Sequence, residues 1–337
     1  MPTAARFDVV CLGESMVTFV PGRPGRLSEA SVFHRGIGGA ESNVACYLAR
    51  TGHRVRWISR VGADGFGDHL VAEIAAAGVD VGAVRQDPAR PTGVYFKEPR
   101  PEGTAVLYYR AGSAAAAMSR ENVDEAAVGS GRLLHLSGIT AALSASCREL
   151  MTALTRRSPG RPAVSFDVNF RPALWRSRDT GLLAELARGC DIVFVGEDEA
   201  AAAWGVRGAD AVRAALPEPA VLVVKQGDRG ATVYRAGQEG VFAPALAVDV
   251  VEPIGAGDAF AAGFLAATLA GRPDAERLRY GHVMAAAALT VAGDLGPPPP
   301  GPVADALVAL DARAWGRLRL GPGWTGDRAV RQVEVPR

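Results

Sequence analysis

Short β-branched runs alternate with alanine-rich helical stretches along most of this chain, and that alternation constrains the fold more than any other feature. "FDVVCLG", "RVRWISRVG", "RLLHLSG", "AVSFDVN", "DIVFVG" and "AVLVVKQG" read as strands. Between them, "GGAESNVACYLARTG", "GDHLVAEIAAAG", "ASCRELMTALTRR", "DTGLLAELARG" and "EDEAAAAWG" read as helices, several closed by glycine. Strand–helix repetition of this kind predicts an α/β fold, a doubly wound and mostly parallel central sheet flanked by helices. A chain of 337 residues is long enough to bury a substantial core in such a sheet.

One stretch breaks the alternation. "TGVYFKEPRPEGTAVLYYRAGSA", residues 92–114, is two β-rich runs joined by a Pro/Gly turn at Pro99–Gly103 and predicts a hairpin. With "SMVTFVP" and "SVFHRGIGG" it supplies strands for a small separate sheet projecting from the core. Such a sheet suits a lid, built from about 13–37 and 91–112, or a surface for a second subunit, and the hairpin taken alone reads equally as a surface hairpin with no role. Residues 1–300 are expected to form one domain. Beyond it, 301–337 reads as an extension: an extended break at Pro297–Pro300, one short helix over Val303–Ala314, and an irregular last stretch of about 20 residues.

Charge narrows the partners. Lys+Arg 37 against Asp+Glu 36 leaves a net charge of +1, so no basic excess points to nucleic acid or to an anionic membrane surface. The longest apolar runs are short, alanine-rich and broken by glycine, which argues against a membrane span. The N-terminus runs almost directly into a strand without an apolar signal segment. The four cysteines (Cys11, Cys46, Cys147, Cys190) lie far apart with no C-x-x-C, so reduced, buried thiols and a cytoplasmic location are expected. His135 and His282 have no ligand partners nearby in sequence and read as core or surface residues.

Chemistry concentrates at "EPIGAGDAFAAGF", where Gly255, Ala256 and Gly257 open a helix and Asp258 follows. Two readings stand side by side. Asp258 serves as an ordinary N-cap, or it takes a proton from a hydroxyl beside an anion held by the glycine turn, as phosphoryl transfer to an alcohol requires. No G-x-x-x-x-G-K-[ST] occurs anywhere, so a lysine-bearing phosphate loop is excluded. A dinucleotide-type oxidoreductase is disfavoured because "CLGESM", not G-x-G-x-x-G, follows the first strand. "VSFDVNFRPALW" ends a strand with Asp167, Asn169 and Arg171, either ligand groups beyond the strand's carboxyl end or a structural turn. Tyr108 and Arg110, two apart on the hairpin, share a face that is either solvated or turned to an acidic ligand. "KQGDRG" is a generic turn or a strip along a nucleotide. The acids of "GEDEA" suit a helix start with or without a metal.

Taken in order, "GGAESNVA", the early hairpin, "KQGDRG" and "GAGDAFAAGF" resemble the ribokinase-like (PfkB) carbohydrate kinases over about residues 8–296. "YYRAGSA", "LHLSGITAALS", "SFDVNFRPALW" and "VEPIGAGD" are most similar to the members acting on 2-keto-3-deoxygluconate. The resemblance implies a ribokinase-like fold and an ATP- and Mg²⁺-dependent transfer to the terminal hydroxyl of a sugar acid. A neutral sugar such as fructose or ribose is the alternative. Asp258 would be the base, and Gly255, Ala256 and Gly257 the anion hole. Gly39, Tyr95, Tyr108, Arg110, Ile139, Arg171 and Asp294 would surround the sugar acid, arginine's planar fork matching its carboxylate. Lys225, Gly227 and Gly230 would lie along ATP, with Asn169 and Arg171 near its phosphates and the glycine turn at its γ-phosphate. Glu199 would hold magnesium through water, though Gly196 stands where many members carry Asn. Glu252, Pro253 and Ile254 replace the usual Asp-Thr-Thr, so a monovalent-cation requirement is not carried over. A homo-oligomer formed through the lid is expected.

Overall fold

The computed structural model describes residues 6–23, 25–100 and 103–326. Its strands, in chain order, are β1 (Phe7–Leu12), β2 (Met16–Pro21), β3 (Phe33–Gly38), β4 (Val55–Ile58), β5 (Arg60–Gly62) and β6 (Arg85–Asp87). They continue as β7 (Val94–Arg100), β8 (Gly103–Tyr109), β9 (Gly131–Ser137), β10 (Ala163–Asp167), β11 (Ile192–Gly196) and β12 (Val221–Lys225). The last four are β13 (Gly230–Arg235), β14 (Val241–Pro244), β15 (Ala247–Val248) and β16 (Arg319–Leu320).

Eight strands form the central sheet in the order β14-β13-β12-β11-β10-β9-β1-β4, parallel except for the β12–β13 and β13–β14 pairs. The strands are short apolar runs because both faces are covered. Val10 and Leu12 turn to a layer with Leu150, Met151, Leu183 and Leu186. Val9 and Cys11 turn to the opposite layer with Val44, Leu48, Leu70, Phe260 and Phe264. This period-2 division of each strand between two helical layers defines a doubly wound sheet. The chain winds from β1 outward to β4 on one side, then from β9 to β12 on the other. The order therefore reverses between β1 and β9, where ligand crevices form at strand carboxyl ends.

The hairpin is present, and β3-β2-β7-β8 form the separate four-stranded sheet read from the sequence. Tyr95 pairs in register with Tyr108, and Lys97 with Val106, so these four share one face. On the other face Phe19 stacks on Phe96 at 5.1 Å between ring centres, with Phe33 and Tyr109 packed edge-on against Phe96.

Three expectations need correction. "RVRWISRVG" is not one strand: the chain leaves the central sheet at Ser59, and Arg60–Gly62 pairs with Arg85–Asp87. The Arg60 guanidinium meets the Asp87 carboxylate there at 2.9 Å. The single helix expected over 303–314 is two, Gly301–Val308 and Ala312–Arg317, because Asp311 caps a new start by accepting from the Ala314 N–H at 2.7 Å. Nor is the whole end of the chain irregular. β16 pairs with β15, and Leu246, Val283, Leu307, Trp315, Leu320 and Trp324 form a third apolar cluster. Residues 327–337 of that stretch lie outside the described residues.

Trp315 is 1 % exposed and its indole N–H donates to the Pro244 carbonyl at 2.9 Å, fastening the extension to β14. Trp315→Ala is expected to cost about 3–5 kcal/mol through the cavity it leaves. Urea denaturation followed by circular dichroism would read this as a lowered midpoint with an unchanged slope.

Candidate active site

The carboxyl ends of β1, β9, β10, β11 and β12 open onto a cavity of about 1110 Å³ roofed by the separate sheet. Gly39, Tyr95, Tyr108, Arg110, Ile139, Asn169, Arg171, Glu199, Lys225, Gly255, Gly257, Asp258 and Asp294 all line it. Residues more than 200 positions apart in the chain thus share one space. Three candidates stand elsewhere. Ala256 does not line the cavity, and its N–H lies 3.5 Å from the Pro253 carbonyl. Gly227 lines an adjoining cleft with Glu197, Asp198 and Arg229. Gly230 starts β13 at φ +142°, where an added Cβ would lie 2.2 Å from the Ala243 carbonyl oxygen. Its glycine serves strand packing.

Two helices opened by glycine meet at the cavity floor. Helix Ala40–Arg50 follows Gly39, and helix Ala256–Leu269 follows Gly255. Gly255 adopts φ +87°, and a Cβ there would fall 2.4 Å from the Asp294 carbonyl oxygen, so the turn packs directly on residue 294. The first bond of the second helix runs from the Ala259 N–H to the Gly255 carbonyl at 2.9 Å. The Gly257 and Asp258 N–H groups precede that ladder, at the positive end of the helix dipole.

The Asp258 Oδ2 accepts a hydrogen bond from the Asn43 side-chain amide at 2.8 Å. Desolvation raises its pKa to about 7; the Asp167 charge adds to the rise, while the Asn43 bond and the Arg171 and Lys225 charges oppose it. Asn43 was not singled out from the sequence, although it stands as a polar residue inside the apolar helix of "GGAESNVA". Its Oδ1 is buried without a partner among the described residues, as is the Oδ1 of Asn169. Asn169 has φ +42°, the one non-glycine positive φ among the described residues, and its N–H donates to Asp167 at 3.1 Å. Strained backbone of this kind concentrates at functional sites.

Three buried ion pairs frame the cavity. Lys225 donates to both Asp167 oxygens at 2.8 and 3.1 Å. Burial works against the Lys225 charge, but Asp167 and Glu199 outweigh it and carry the pKa to about 12. Arg110 is paired with Glu14, which also accepts from the Ser113 hydroxyl at 2.6 Å. Lys97 reaches Asp294 at 2.5 Å and Glu252 at 3.3 Å. Glu14 and Lys97 also escaped notice in the sequence, since neither lies in a glycine motif. Arg171, its side chain 49 % exposed, sits 3.7 Å from Glu199. Burial raises the Glu199 pKa, and Glu199 accepts from the Gly196 N–H at 2.7 Å, reaching back from the third helical position to the residue before the helix.

Of the two placements left open by the sequence, core or surface, both His135 and His282 take the core, and burial lowers the pKa of each to about 4. All four cysteines are free and buried, also as read. Among the described residues no helix is long and apolar enough to cross a membrane.

Residues 6–300 match the model of the pfkB family carbohydrate kinases, and the chain belongs to that family. It is a carbohydrate kinase with the family's α/β fold. It is 34 % identical over 301 residues to the 2-dehydro-3-deoxygluconokinase of Thermoproteus tenax, covering 87 % of this chain and 91 % of that protein. Against the 2-dehydro-3-deoxygluconokinase of Bacillus subtilis the figures are 35 % over 299 residues, covering 86 % and 92 %. Among solved structures, the PfkB protein of Polaromonas sp. JS666 superposes with a TM-score of 0.76 at 35 % identity, covering 83 % of this chain and 95 % of that one. A ribokinase II of E. coli in complex with ATP and Mg²⁺ gives 0.77 at 25 %, covering 86 % and 94 %.

The raised pKa of Asp258 has a consequence for stability. An unfolded Asp releases its proton near 3.8, whereas the folded one keeps it to about 7. The folded chain therefore binds more protons across this window, and the group's contribution to stability falls as pH rises from about 4 to about 7. Asp258→Asn removes that slope. Thermal midpoints of the unliganded proteins should agree more closely at pH 4.5 than at pH 8, where the variant should be the more stable.

Proposed function

We propose that the chain transfers the γ-phosphoryl group of ATP to the terminal hydroxyl of a sugar acid, 2-keto-3-deoxygluconate. The observation that carries this reading is Asp258, a carboxylate with a pKa of about 7 beside the free N–H groups of a glycine-opened helix. A base matched to neutral pH takes the hydroxyl proton as the oxygen attacks phosphorus. The adjacent N–H groups and the helix dipole stabilise charge on the transferring group without a lysine in the turn.

Arg110 and Arg171 line the same cavity and support an acidic acceptor. Glu14 engages one end of the Arg110 guanidinium, but its Nε is buried without a partner among the described residues, leaving a donor for ligand oxygen. Arg171 is the more exposed of the two. The names of the Thermoproteus tenax and Bacillus subtilis relatives point to the same substrate.

For the nucleotide, Lys225, Asn169 and the adjoining cleft at Gly227 offer a charged and polar path. No group of three or more metal-ligating side chains occurs among the described residues. Glu199 is one of the carboxylates lining the cavity and would hold Mg²⁺ through water, with the phosphates supplying the other oxygens. When bound, the ion supplies charge neutralisation for the phosphates. Tyr95 and Tyr108, their rings 5.5 Å apart, are the aromatic side chains the lid turns to the cavity.

Coupled ATP-consumption assays with 2-keto-3-deoxygluconate, its galactose-derived epimer, fructose, ribose and gluconate test this directly. The keto-deoxy acids should be turned over, and Asp258→Asn should lose about 10²–10⁴-fold in kcat. Arg171→Leu should raise KM for the acid; an unchanged KM together with turnover of fructose or ribose would favour the neutral-sugar reading. The lid also supports a homodimer. Its edge strand β8 leaves Leu107 and Tyr109 exposed at 38 % and 63 %. Light scattering at micromolar concentration should give at least a dimer, and Tyr109→Glu should shift it toward monomer.

A further inference from the structure

We propose that Lys97 is a positioning residue that transmits the place of the lid to the turn opening helix Ala256–Leu269. This rests on the reading of that turn as the element that holds the phosphoryl group. Lys97 is 1 % exposed in the middle of β7, a lid strand. Its ammonium has two carboxylate partners from the other end of the chain: Asp294 at 2.5 Å and Glu252 at 3.3 Å.

Both partners bear on the turn. Glu252 uses its other oxygen to accept from the Ile254 N–H at 3.3 Å, one residue before Gly255. The main chain of Asp294 is the surface on which Gly255 packs. Asp294 is also held from the lid by a second residue, since the Tyr95 hydroxyl donates to its Oδ2 at 2.6 Å. Tyr95 and Lys97 are two apart and on one face of β7, so one strand grips both oxygens of Asp294. A shift of the lid strand therefore moves Asp294 and releases Glu252, and with it the register of the turn.

A fully buried ammonium is an expensive way to brace a lid, because replacing an ion pair by apolar packing often leaves stability unchanged or improved. What apolar packing cannot supply is a charge that holds two carboxylates together across three segments of chain. Without Lys97, Asp294 and Glu252 repel each other, and the turn loses its position even where the fold survives.

The experiment compares wild type with Lys97→Ala and Lys97→Arg, each first checked for folding by circular dichroism and thermal midpoint. Lys97→Ala is expected to lower kcat by about 10²-fold, as misplacement of about 1 Å does, while KM for ATP stays within about twofold. Added ethylammonium should restore kcat several-fold by placing a small cation between the carboxylates, and tetraethylammonium at equal ionic strength should not. Lys97→Arg should retain more of kcat than Lys97→Ala. Amide hydrogen exchange at 254–258, measured without substrate, should quicken in Lys97→Ala and return toward wild type with ethylammonium. A lowered thermal midpoint with unchanged kcat and unchanged exchange in the turn would overturn the proposal and leave Lys97 a structural brace. Wild type that phosphorylates no sugar would instead defeat the reading of the turn, and the exchange data would still decide the coupling.

Discussion

The contact between Asn43 and Asp258 is the one on which the rest of the site depends. It joins the first turns of two helices whose starts are more than 200 residues apart in the chain, and it holds a carboxylate where desolvation favours the protonated form. A carboxylate on a solvated surface would be fully ionised at neutral pH and a weak base. Half-buried and tethered by one amide, Asp258 is poised near neutrality instead. Gly39 packs on the Glu14–Ser15 main chain and Gly255 on that of Asp294, so each helix start is seated on a neighbouring segment. The close contact of Gly255 with Asp294 extends the same arrangement to a third segment.

Charge is distributed around this point as pairs, each drawn from different segments: Lys225 with Asp167, Arg110 with Glu14, Lys97 with Asp294 and Glu252. Buried pairs contribute little net stability once desolvation is subtracted. Their effect here is geometric. Each pins a cavity-lining side chain to a strand end or to the lid, so rigid elements of the central sheet dictate where the polar groups stand. The lid takes part through both faces, presenting Tyr95, Lys97 and Tyr108 inward and an aromatic cluster around Phe96 outward.

Much of this was legible beforehand. Apolar runs of five or six residues bounded by glycine and polar turns mark strands because both faces of a parallel sheet must be dry, and β1, β9, β10, β11 and β12 are where those runs lie. The glycine turn before Asp258 was legible because the local conformation it requires restricts the residue type. Asn43, Glu14 and Lys97 were not, since the value of an amide, a carboxylate or an ammonium depends on partners remote in sequence. Gly230 shows the converse. Its place in "KQGDRG" suggests a ligand turn, whereas its missing side chain answers to the Ala243 carbonyl. The division of "RVRWISRVG" at Ser59 was equally hidden, because a strand's change of partner leaves no mark on its own alternation.

By itself, then, the sequence determined what local stereochemistry and hydrophobic periodicity control: the succession of strands and helices, the doubly wound class, the lid hairpin, and the glycine turn with its aspartate. Tertiary structure alone decided which polar groups face one another. It brought Asn43 to Asp258 and Lys97 to Asp294, seated Gly230 against the Ala243 carbonyl, and folded part of the C-terminal extension onto β14 through Trp315. The reason is physical. Backbone preference and apolar burial act through near neighbours and through period, whereas the pKa of a carboxylate and the partner of a buried ammonium are set by groups that only the closed fold brings within a few ångströms.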